Sequence, residues 1–314
     1  MKTDIFEKQK IRPMLIGESG QPFDNSDYIY ELKLDGVRCI AYLEKGNTEL
    51  RNKRNIKLLP QFPELTNLHE AVNTRCILDG ELIVAENGLP VFHEVQRRTI
   101  MSDKFKIDIA AKQLPASFVV FDILYTEEEG EITKRPLLER KEILNRTVTD
   151  IENLKVSRYI ATYGIQLYHA VEEKGLEGVV AKKKNSLYYE GKRTKEWIKI
   201  KNLQDEDFIV LGYIPKENHM NSIILGQYNR VGELVYKGHV TLGVFGSDFA
   251  KIIASGKLPQ PPLHVPKGNE NAIWIIPSLV CVVKYMEKTE SGSMRQPVFK
   301  GLRDDKLPTE CVEI

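Results

Sequence analysis

The sequence predicts an α+β protein of two domains, and three observations support that prediction. The chain has 314 residues, of which 42% are hydrophobic, and this is enough for two cores. Before Leu203, apolar segments with strand alternation are mixed with segments of helical spacing. After Leu203, about five short strands and one helix fill roughly 110 residues, which is the size and rhythm of an OB-fold β-barrel. We therefore place the domains at residues 1–203 and 204–314.

The first domain alternates between apolar runs and segments with helical spacing or helix-end signals. The basic segment Met101–Lys112 has no clear period and is predicted to be a loop. The predicted strands are Tyr28–Leu43 (two runs around Asp35-Gly36), Thr48–Leu59 (a strand that ends in a basic loop), Cys76–Ala85 (interrupted at Asp79-Gly80-Glu81), Ser117–Tyr125, Leu176–Ala181 and Trp197–Lys201. The predicted helices are Phe62–Val72, Val91–Arg98, Pro136–Asn145 and Gly164–Glu173.

The second domain reads as short strands separated by polar turns, with one helix among them. The predicted strands are Phe208–Tyr213, Ser222–Tyr228, Glu233–Val244 and Ile273–Tyr285, and the predicted helix is Ser247–Ser255.

Composition limits the class of protein. No apolar run is long enough to cross a bilayer and no signal-peptide pattern is present, so we expect a soluble protein. The four cysteines are scattered without a C-x-x-C pair, which favours buried thiols in a reducing cytoplasm over a zinc or redox site. The net charge is only +1, but Arg51–Lys57 and Lys182–Lys201 are strongly basic. Local basic surfaces on a near-neutral protein suit a polyanion bound on one face, although such runs are also typical of solvated surfaces.

The segment Glu31–Arg38 (ELKLDGVR) reads as a strand that runs into a turn at Gly36. A lysine such as Lys33 acts as a nucleophile if desolvation or nearby positive charge lowers its pKa. The alternative is an ordinary salt bridge at a strand edge.

Other charged and aromatic residues do not indicate a function when each is taken alone. Glu81 and Glu177 suit turns, and Phe121 in an apolar strand suits a core. Alternation in Trp197–Lys201 places Lys199 and Lys201 on one face, which suits the solvent-exposed side of an edge strand.

The order of these pieces resembles the covalent nucleotidyltransferase superfamily of ATP-dependent DNA ligases, RNA ligases and capping enzymes. Within it, Ser186–Lys201 and Met294–Lys306 are similar to the small bacterial ATP-dependent ligases and the ligase module of bacterial end-joining ligases. The matching motifs are Lys33-Leu34-Asp35-Gly36, the arginine motif at Arg51, Asp79-Gly80-Glu81, Phe118–Asp122, Glu177–Lys182, Trp197–Lys201 and Arg303-Asp304-Asp305-Lys306.

Three positions depart from the pattern of that family. Arg51 lacks the usual preceding serine, Gln296 stands where close relatives usually have histidine, and Val282 replaces a common glutamate. These departures concern contacts with DNA or phosphate, whereas the core catalytic positions are intact.

The resemblance implies an adenylyltransferase domain of ATP-grasp-like architecture, with antiparallel sheets flanked by helices, followed by the OB-fold domain. It implies a DNA ligase that seals 5′-phosphate/3′-hydroxyl nicks through a lysyl-AMP intermediate and AMP-capped DNA. ATP and Mg²⁺ or Mn²⁺ are the implied cofactors. The implied partner is nicked double-stranded DNA bound by a monomer, and an end-bridging or recruiting protein is a further expected partner.

The resemblance also implies a role for each matched residue. Lys33 is the nucleophile, Glu31 recognises the adenine amino group, Phe121 stacks on adenine, and Glu177 holds the metal. Asp35 is expected to shape the loop. The full ATP or AMP set is Glu31, Lys33, Arg38, Glu81, Phe121, Lys199, Lys201, Arg303 and Lys306, with Glu81 also a candidate metal ligand, and the DNA set is Arg38, Arg51, Lys192 and Arg193.

The OB-fold domain has two implied roles, which are to follow the DNA backbone and to orient the leaving pyrophosphate through Arg303, Asp305 and Lys306. Since one pose does not serve both, we expect this domain to swing between ATP-bound and DNA-bound states. Truncation after Leu203 is then expected to impair enzyme adenylylation more than closure of a pre-adenylated nick.

Rival functions remain open at this point. An RNA ligase uses the same nucleophile, and discrimination rests on groove shape and the 2′-hydroxyl. A catalytically inactive nucleic-acid-binding protein with an OB module would tolerate loss of Lys33, Glu81 or Glu177, yet all three are present. A capping enzyme would need a different C-terminal motif. An NAD-dependent ligase is disfavoured because the segment before Lys33 is short and no cysteine zinc site is present.

Overall fold

Strand alternation builds two separate units along the chain. The computed structural model describes residues 4–86, 88–216, 221–244, 246–286, 288–289 and 292–313. The chain divides into unit 1, Met1–Asn202, and unit 2, Leu203–Ile314, whereas the sequence prediction places the division after Leu203. Mainly antiparallel sheets with flanking helices confirm the predicted α+β class.

Unit 1 contains most of the helices and two of the sheets in the part of the chain that the structure describes. Its strands are β1 (Leu15–Ser19), β2 (Asn25–Leu32), β3 (Val37–Glu44), β4 (Asn47–Asn52), β5 (Cys76–Glu86), β6 (Leu89–Pro90), β7 (Ala116–Thr126), β8 (Gly130–Glu131), β9 (Leu154–Val156), β10 (Tyr159–Thr162), β11 (Gly178–Lys183) and β12 (Arg193–Lys201). Its helices are α1 (Ile5–Lys8), α2 (Phe92–Thr99), α3 (Lys104–Gln113), α4 (Leu137–Thr147) and α5 (Gly164–Glu173).

The two sheets of unit 1 differ in size and order. The five-stranded sheet has the order β1-β12-β11-β2-β10. The seven-stranded sheet has the order β4-β3-β5-β7-β8, with β6 paired to β5 and β9 paired to β7. Neighbouring strands are antiparallel, except that β1 is parallel to β12 and β9 to β7.

The two sheets face each other across a shared apolar layer, which we call the intersheet core. Alternation along β3 sends Ile40 and Tyr42 into this layer and Cys39 and Ala41 to the opposite face. That opposite face packs on helices, and the outer face of the five-stranded sheet packs on α5. The buried members of the intersheet core are Phe6, Ile11, Met14, Ile40, Tyr42, Ile77, Phe121, Leu124, Tyr125, Val180, Tyr188 and Trp197.

Three predicted elements of unit 1 were wrong. Met101–Lys112 is not a loop, because it contains α3, whose start is capped by the Asp103 carboxylate and whose inner face buries Ile107 and Ala110. Phe62–Val72 is not one helix but a series of short 3₁₀ turns, in keeping with the position of Pro63 at the start of the second turn. The predicted interruption of Cys76–Ala85 is absent, since Asp79-Gly80-Glu81 continues β5.

The elements of unit 2 are β13 (Gln204–Pro215), β14 (Asn221–Tyr228), β15 (Leu234–Val240), α6 (Gly246–Ala254), β16 (Lys257–Leu258), β17 (Ile273–Ile275), β18 (Val280–Tyr285) and β19 (Val298–Arg303). The strands form a curved sheet with the order β15-β14-β13-β17-β16, in which β18 pairs with both β13 and β19. A bridge between Leu242, just after β15, and Val298, at the start of β19, brings these two edges together, which is consistent with the predicted OB-fold barrel. The predicted strand Ile273–Tyr285 is divided at Pro277, which has no N–H to donate.

The buried thiols predicted from composition are confirmed. The four cysteines are free and buried. Among the described residues, no helix combines the length and hydropathy that a membrane crossing requires.

Leu124 tests the intersheet core. Leu124→Ala should lower the free energy of unfolding of unit 1 by about 2 to 5 kcal/mol, because the side chain is fully buried and leaves a cavity. Urea unfolding is followed by the fluorescence of Trp197 in the same core, in a Trp274→Phe background. The exposed Ile56→Ala variant is the control and should change the free energy by less than about 0.5 kcal/mol. An equal loss in both variants would contradict this packing.

Candidate active site

The register of the five-stranded sheet places charged residues from two strands, β2 and β12, on the face that meets the intersheet core. Val180 lies opposite both Glu31 and Lys199, and Gly178 lies opposite Lys201. Because paired residues project to the same face, Glu31, Lys199 and Lys201 share the face of Val180. The structure therefore brings these predicted site residues together.

Lys33 follows β2 and is tied to the same sheet by its backbone. Its N–H donates to the Gly178 carbonyl at 2.9 Å, which extends the ladder beyond Leu32. Gly178 has φ 145°, and a Cβ there would lie 2.1 Å from the Ile200 carbonyl oxygen. Only glycine allows this close approach of strands beside Lys33.

The seven-stranded sheet supplies the opposite wall. Arg38 on β3 lies opposite Glu81 on β5, and Ile40 lies opposite Asp79. Since Ile40 points into the intersheet core, Arg38, Asp79 and Glu81 project to the same side. The continuous strand that the sequence analysis missed is what gives Asp79 and Glu81 a common face.

Phe121 reaches the same side through a β-bulge. Asp79 pairs with Asp122, but the next residue, Gly80, pairs with Val120, so Phe121 is the extra residue on β7. A bulge re-aims the residue it inserts. Here it turns the aromatic ring toward the five-stranded sheet, where it packs with Val180 and Trp197.

The two walls enclose a cavity of about 60 Å³. It brings together five of the predicted nucleotide-binding residues from separate segments of the chain. The lining residues are Ile16, Glu31, Leu32, Lys33, Leu34, Arg38, Glu81, Phe121, Val180, Lys182 and Trp197.

The Lys33 ammonium forms an ion pair with Glu177, with 2.8 Å between Nζ and Oε1. Burial raises the pKa of Glu177, Lys33 lowers it, and Asp35 raises it further. Burial also lowers the pKa of Lys201, assisted by the positive charges of Lys33 and Lys199 and opposed by Glu177. Lys33 thus lies in a partly desolvated cluster of cations with one carboxylate partner.

Glu177 also fits the predicted role of metal ligand. Its Oε2 atom is buried and has no hydrogen-bond partner among the described residues. A hard oxygen left unpaired in this way suits Mg²⁺, which usually binds through one or two carboxylates and substrate phosphates. The described residues contain no group of three or more histidine, cysteine or acidic side chains that could hold a metal ion.

Glu31 is held by three partners. Lys141 Nζ lies 2.5 Å from Oε1, Lys182 Nζ lies 3.0 Å from Oε2, and Ser157 Oγ donates to Oε2 at 2.9 Å. Burial alone would raise the pKa of Glu31, but Lys141 and Lys182 outweigh it and lower the pKa. Glu31 is therefore an ionised carboxylate in a dry setting.

The sequence analysis missed Lys141. This lysine is buried on α4, four residues after Leu137 and three before Leu144, so it falls on the apolar face of that helix. A charged residue at a core position was the signal that could have identified it.

The faces of the Phe121 ring are close to two cations. The Arg38 guanidinium lies 4.5 Å and the Lys182 ammonium 4.3 Å from the ring centroid. Burial and the nearby Lys141 lower the pKa of Lys182 to about 8, with Glu31 opposing them. Arg38 is fixed by two hydrogen bonds of 2.6 Å to the buried Asp79 carboxylate.

Glu81 differs from Glu31 in the charge it carries. Burial raises the pKa of Glu81 to about 8, against the lowering effect of Arg38 and Lys33. At neutral pH most Glu81 side chains therefore carry a proton, and the group both donates and accepts hydrogen bonds.

The other predicted residues lie elsewhere in their units. Arg51 pairs with Glu49 at 2.9 Å, outside the cavity lining, and Arg193 is exposed and donates to the Ile16 carbonyl at 2.7 Å. Lys192 is also exposed. The predicted residues Arg303 and Lys306 belong to unit 2, where both contact Asp207.

Family models match most of the chain. Residues 13–201 match the family described as "ATP dependent DNA ligase domain", and residues 216–306 match "ATP dependent DNA ligase C terminal region".

Curated relatives agree with these matches. The chain is 30% identical over 294 residues to the SPbeta prophage-derived DNA ligase-like protein LigB of Bacillus subtilis, covering 93% of this chain and 99% of LigB. It is 27% identical to the multifunctional non-homologous end joining DNA repair protein LigD of Mycobacterium tuberculosis, over 98% of this chain but 40% of LigD.

Solved structures share the fold. The mycobacterial DNA ligase D complexed with ATP and MES matches with a TM-score of 0.57 and 25% identity, over 98% of this chain and 99% of that one. A Lig E DNA ligase matches with a TM-score of 0.63 at 19% identity, over 94% of this chain and 100% of that one, which concerns the fold alone.

Glu81 predicts a dependence of stability on pH. The folded carboxyl keeps its proton up to about pH 8, whereas the unfolded one loses it near 4.5. Between these values the unfolded state binds fewer protons, so this group's contribution to stability falls as the pH rises. The free energy of unfolding of the wild type should therefore decline relative to Glu81→Gln from about pH 5 to about pH 8.

The control is Glu86→Gln, which lies on the same strand and is exposed. A difference between Glu81→Gln and the wild type that changes with pH no more than the difference for this control would contradict the raised pKa of Glu81.

Proposed function

The chain belongs to the family of ATP-dependent DNA ligases, and we propose from that premise which of its residues perform each step of nick sealing. The protein is a DNA ligase that uses ATP and Mg²⁺. Lys33 Nζ attacks the α-phosphorus of ATP, forming a P–N bond, losing a proton and releasing pyrophosphate. The AMP then passes to the 5′-phosphate at the nick, and the 3′-hydroxyl displaces it to close the phosphodiester.

The observation that carries this proposal is the position of Lys33. It lines the cavity that also holds Glu31, Glu81 and Phe121, and it contacts Glu177 at 2.8 Å. The attacking amine must be neutral, so the Lys33 ammonium has to lose a proton before the P–N bond forms. Mg²⁺ held by Glu177 would neutralise charge on the phosphates. It would also draw the Glu177 carboxylate away from its ion pair with Lys33.

Glu31 selects the base. An ionised carboxylate only accepts hydrogen bonds, so it favours the amino group of adenine over the carbonyl of guanine. Lys141 and Lys182 keep it ionised and Ser157 helps to fix its orientation. Lys141 is therefore proposed as a positioning residue for base recognition.

Phe121 provides the stacking surface for adenine. The cavity of about 60 Å³ is far smaller than the roughly 300 Å³ at which ligand pockets begin, so side chains must move on binding. Arg38 is held by two hydrogen bonds to Asp79, so we propose that Lys182 leaves the ring when adenine enters.

The remaining polar groups divide between ribose and phosphate. Glu81 is mostly protonated at neutral pH, which suits a ribose hydroxyl better than a metal ion. Lys199 and Lys201 share one face of β12 and hold the α-phosphate as point charges.

Nicked duplex DNA is the proposed substrate of a monomeric enzyme in the cytoplasm. Arg193 and Lys192 are exposed cations at the start of β12 and are available to phosphates. Arg51 and Arg38 would add contacts at the 5′-phosphate, for which forked guanidinium groups are well suited. We also propose a separate end-bridging or recruiting protein as a partner.

Lys33→Ala separates the steps of the reaction. The variant should form no protein–AMP adduct with α-labelled ATP and should not seal nicked DNA with ATP, because the nucleophile is lost. It should retain sealing of a nick that already carries AMP, because that step does not use the amine. The exposed Lys45→Ala variant should match the wild type in both assays.

A wild type without an adduct would contradict the proposal and favour a binding protein. Equal or better sealing of nicked RNA than of nicked DNA would contradict the proposed substrate.

Glu31→Gln tests base selection. Replacing the carboxylate by an amide that also donates should reduce the preference for ATP over GTP in adduct formation by about 10- to 100-fold. Ser157→Ala keeps both ion pairs of Glu31 and should retain most of the preference. An unchanged preference in Glu31→Gln, with the melting temperature recorded for each variant, would contradict the role of Glu31.

A further inference from the structure

In unit 2, one carboxylate joins the C-terminal motif to the first strand of the barrel. Asp207 on β13 accepts from Arg303 Nη1 at 3.2 and 3.1 Å through its two oxygens. The same carboxylate accepts from Lys306 Nζ at 2.6 Å. Arg303 and Lys306 therefore converge on a single acceptor that lies about a hundred residues earlier in the chain.

The strand register explains why Asp207 is reached. Asp207 lies opposite Val282 on β18, and Val282 lies opposite Gly301 on β19. Neither Val282 nor Gly301 has a side-chain acceptor, so nothing on those two side chains competes for the Arg303 guanidinium. The neighbouring Glu206 projects to the other face of the sheet, where its carboxylate accepts a hydrogen bond from Gln227 Nε2.

Arg303 also bonds Asp305, with 2.9 Å from Nε to Oδ1 and 2.6 Å from Nη2 to Oδ2. That contact is local to the motif and does not fix its position on the barrel. Among the described residues, Lys306 contacts one carboxylate, that of Asp207. The hydrogen bond to Asp207 raises the pKa of Lys306 and keeps the ammonium charged. Both cations are partly exposed, so they retain N–H groups for a further ligand.

We infer that Asp207 is a positioning residue that holds Arg303 and Lys306 in the arrangement needed to orient the leaving pyrophosphate. This rests on the proposed ligase function and on the role in enzyme adenylylation that the resemblance to the nucleotidyltransferase superfamily implies for these two cations. Long cationic side chains lose rotamer freedom when they bind phosphate, and a fixed carboxylate restrains them beforehand. Asp207 itself does not touch the reacting atoms.

The inference predicts an effect on one step and on its reversal. In adenylylation the P–N bond to Lys33 forms, the bond from the α-phosphorus to the bridging oxygen breaks, and pyrophosphate leaves with both bonding electrons. In the reverse reaction, pyrophosphate attacks the lysyl-AMP and regenerates ATP. Sealing of a pre-adenylated nick involves no pyrophosphate and should be insensitive to Asp207.

Asp207→Asn removes the charge at nearly constant size. Adenylylation by α-labelled ATP should slow about tenfold or more, and the KM for pyrophosphate in the reverse reaction should rise by a similar factor. Sealing of pre-adenylated nicked DNA should stay within about twofold of the wild type. Asp205→Asn is the matched control, since Asp205 lies on the same face of β13 but pairs with Lys284 at 3.3 Å. It should leave all three measurements unchanged.

Two further variants separate positioning from general stability. Asp207→Glu keeps the carboxylate and should restore most of the adenylylation rate. Asp207→Asn added to the double variant Arg303→Ala/Lys306→Ala should cause no further slowing, because Asp207 acts only through these two cations and such residues are not additive. If Asp207→Asn melts early, Asp207→Ser is compared with Asp205→Ser in its place.

Normal adenylylation in Asp207→Asn, or an equal loss in the sealing of pre-adenylated DNA, would overturn the inference while the wild-type adduct still supported the proposed function. A wild type that forms no adduct would overturn both.

Discussion

The antiparallel register of β2, β11 and β12 is the constraint on which the candidate site depends. Because side chains alternate, a slip of one residue would turn Glu31, Lys199 and Lys201 away from the opposite sheet. Gly178 fixes the register at its critical end, where its φ and its close approach to β12 exclude a side chain and its carbonyl binds the Lys33 N–H. The position of Lys33, the proposed nucleophile, thus follows from backbone pairing.

Three carboxylates of the site differ in pKa because their surroundings differ in charge as well as in burial. Glu31 is surrounded by Lys141 and Lys182 and has a lowered pKa, whereas the pKa values of Glu81 and Glu177 are raised. Environments that separate the pKa values of neighbouring acids also separate their roles. In the proposed function, the ionised Glu31 accepts a hydrogen bond from adenine, and the protonated Glu81 bonds a ribose hydroxyl. The unpaired oxygen of Glu177 is open to the metal ion that binds the phosphates.

Sequence patterns predicted the local parts of this arrangement. Alternation placed Lys199 and Lys201 on one face, and the ordered motifs identified Lys33, Glu81 and Phe121. The partners that tune them were not predictable, because Lys141 and Asp207 meet the motifs only through tertiary packing. Asp79 belongs to a predicted motif, but its ion pair with Arg38 depends on the pairing of β3 with β5. The bulge at Phe121 has no sequence signal of its own, and α3 was missed because its cap at Asp103 was overlooked in a basic segment.

We propose that β-sheet register places Lys33, and none of the lysines near it, where it can accept AMP. Mass spectrometry of peptides from protein incubated with ATP and Mg²⁺ tests it directly. We expect a single AMP on the peptide that contains Lys33 and no AMP on the peptides that contain Lys182, Lys199 and Lys201. AMP on any of those three lysines, or on none of the peptides, would contradict it.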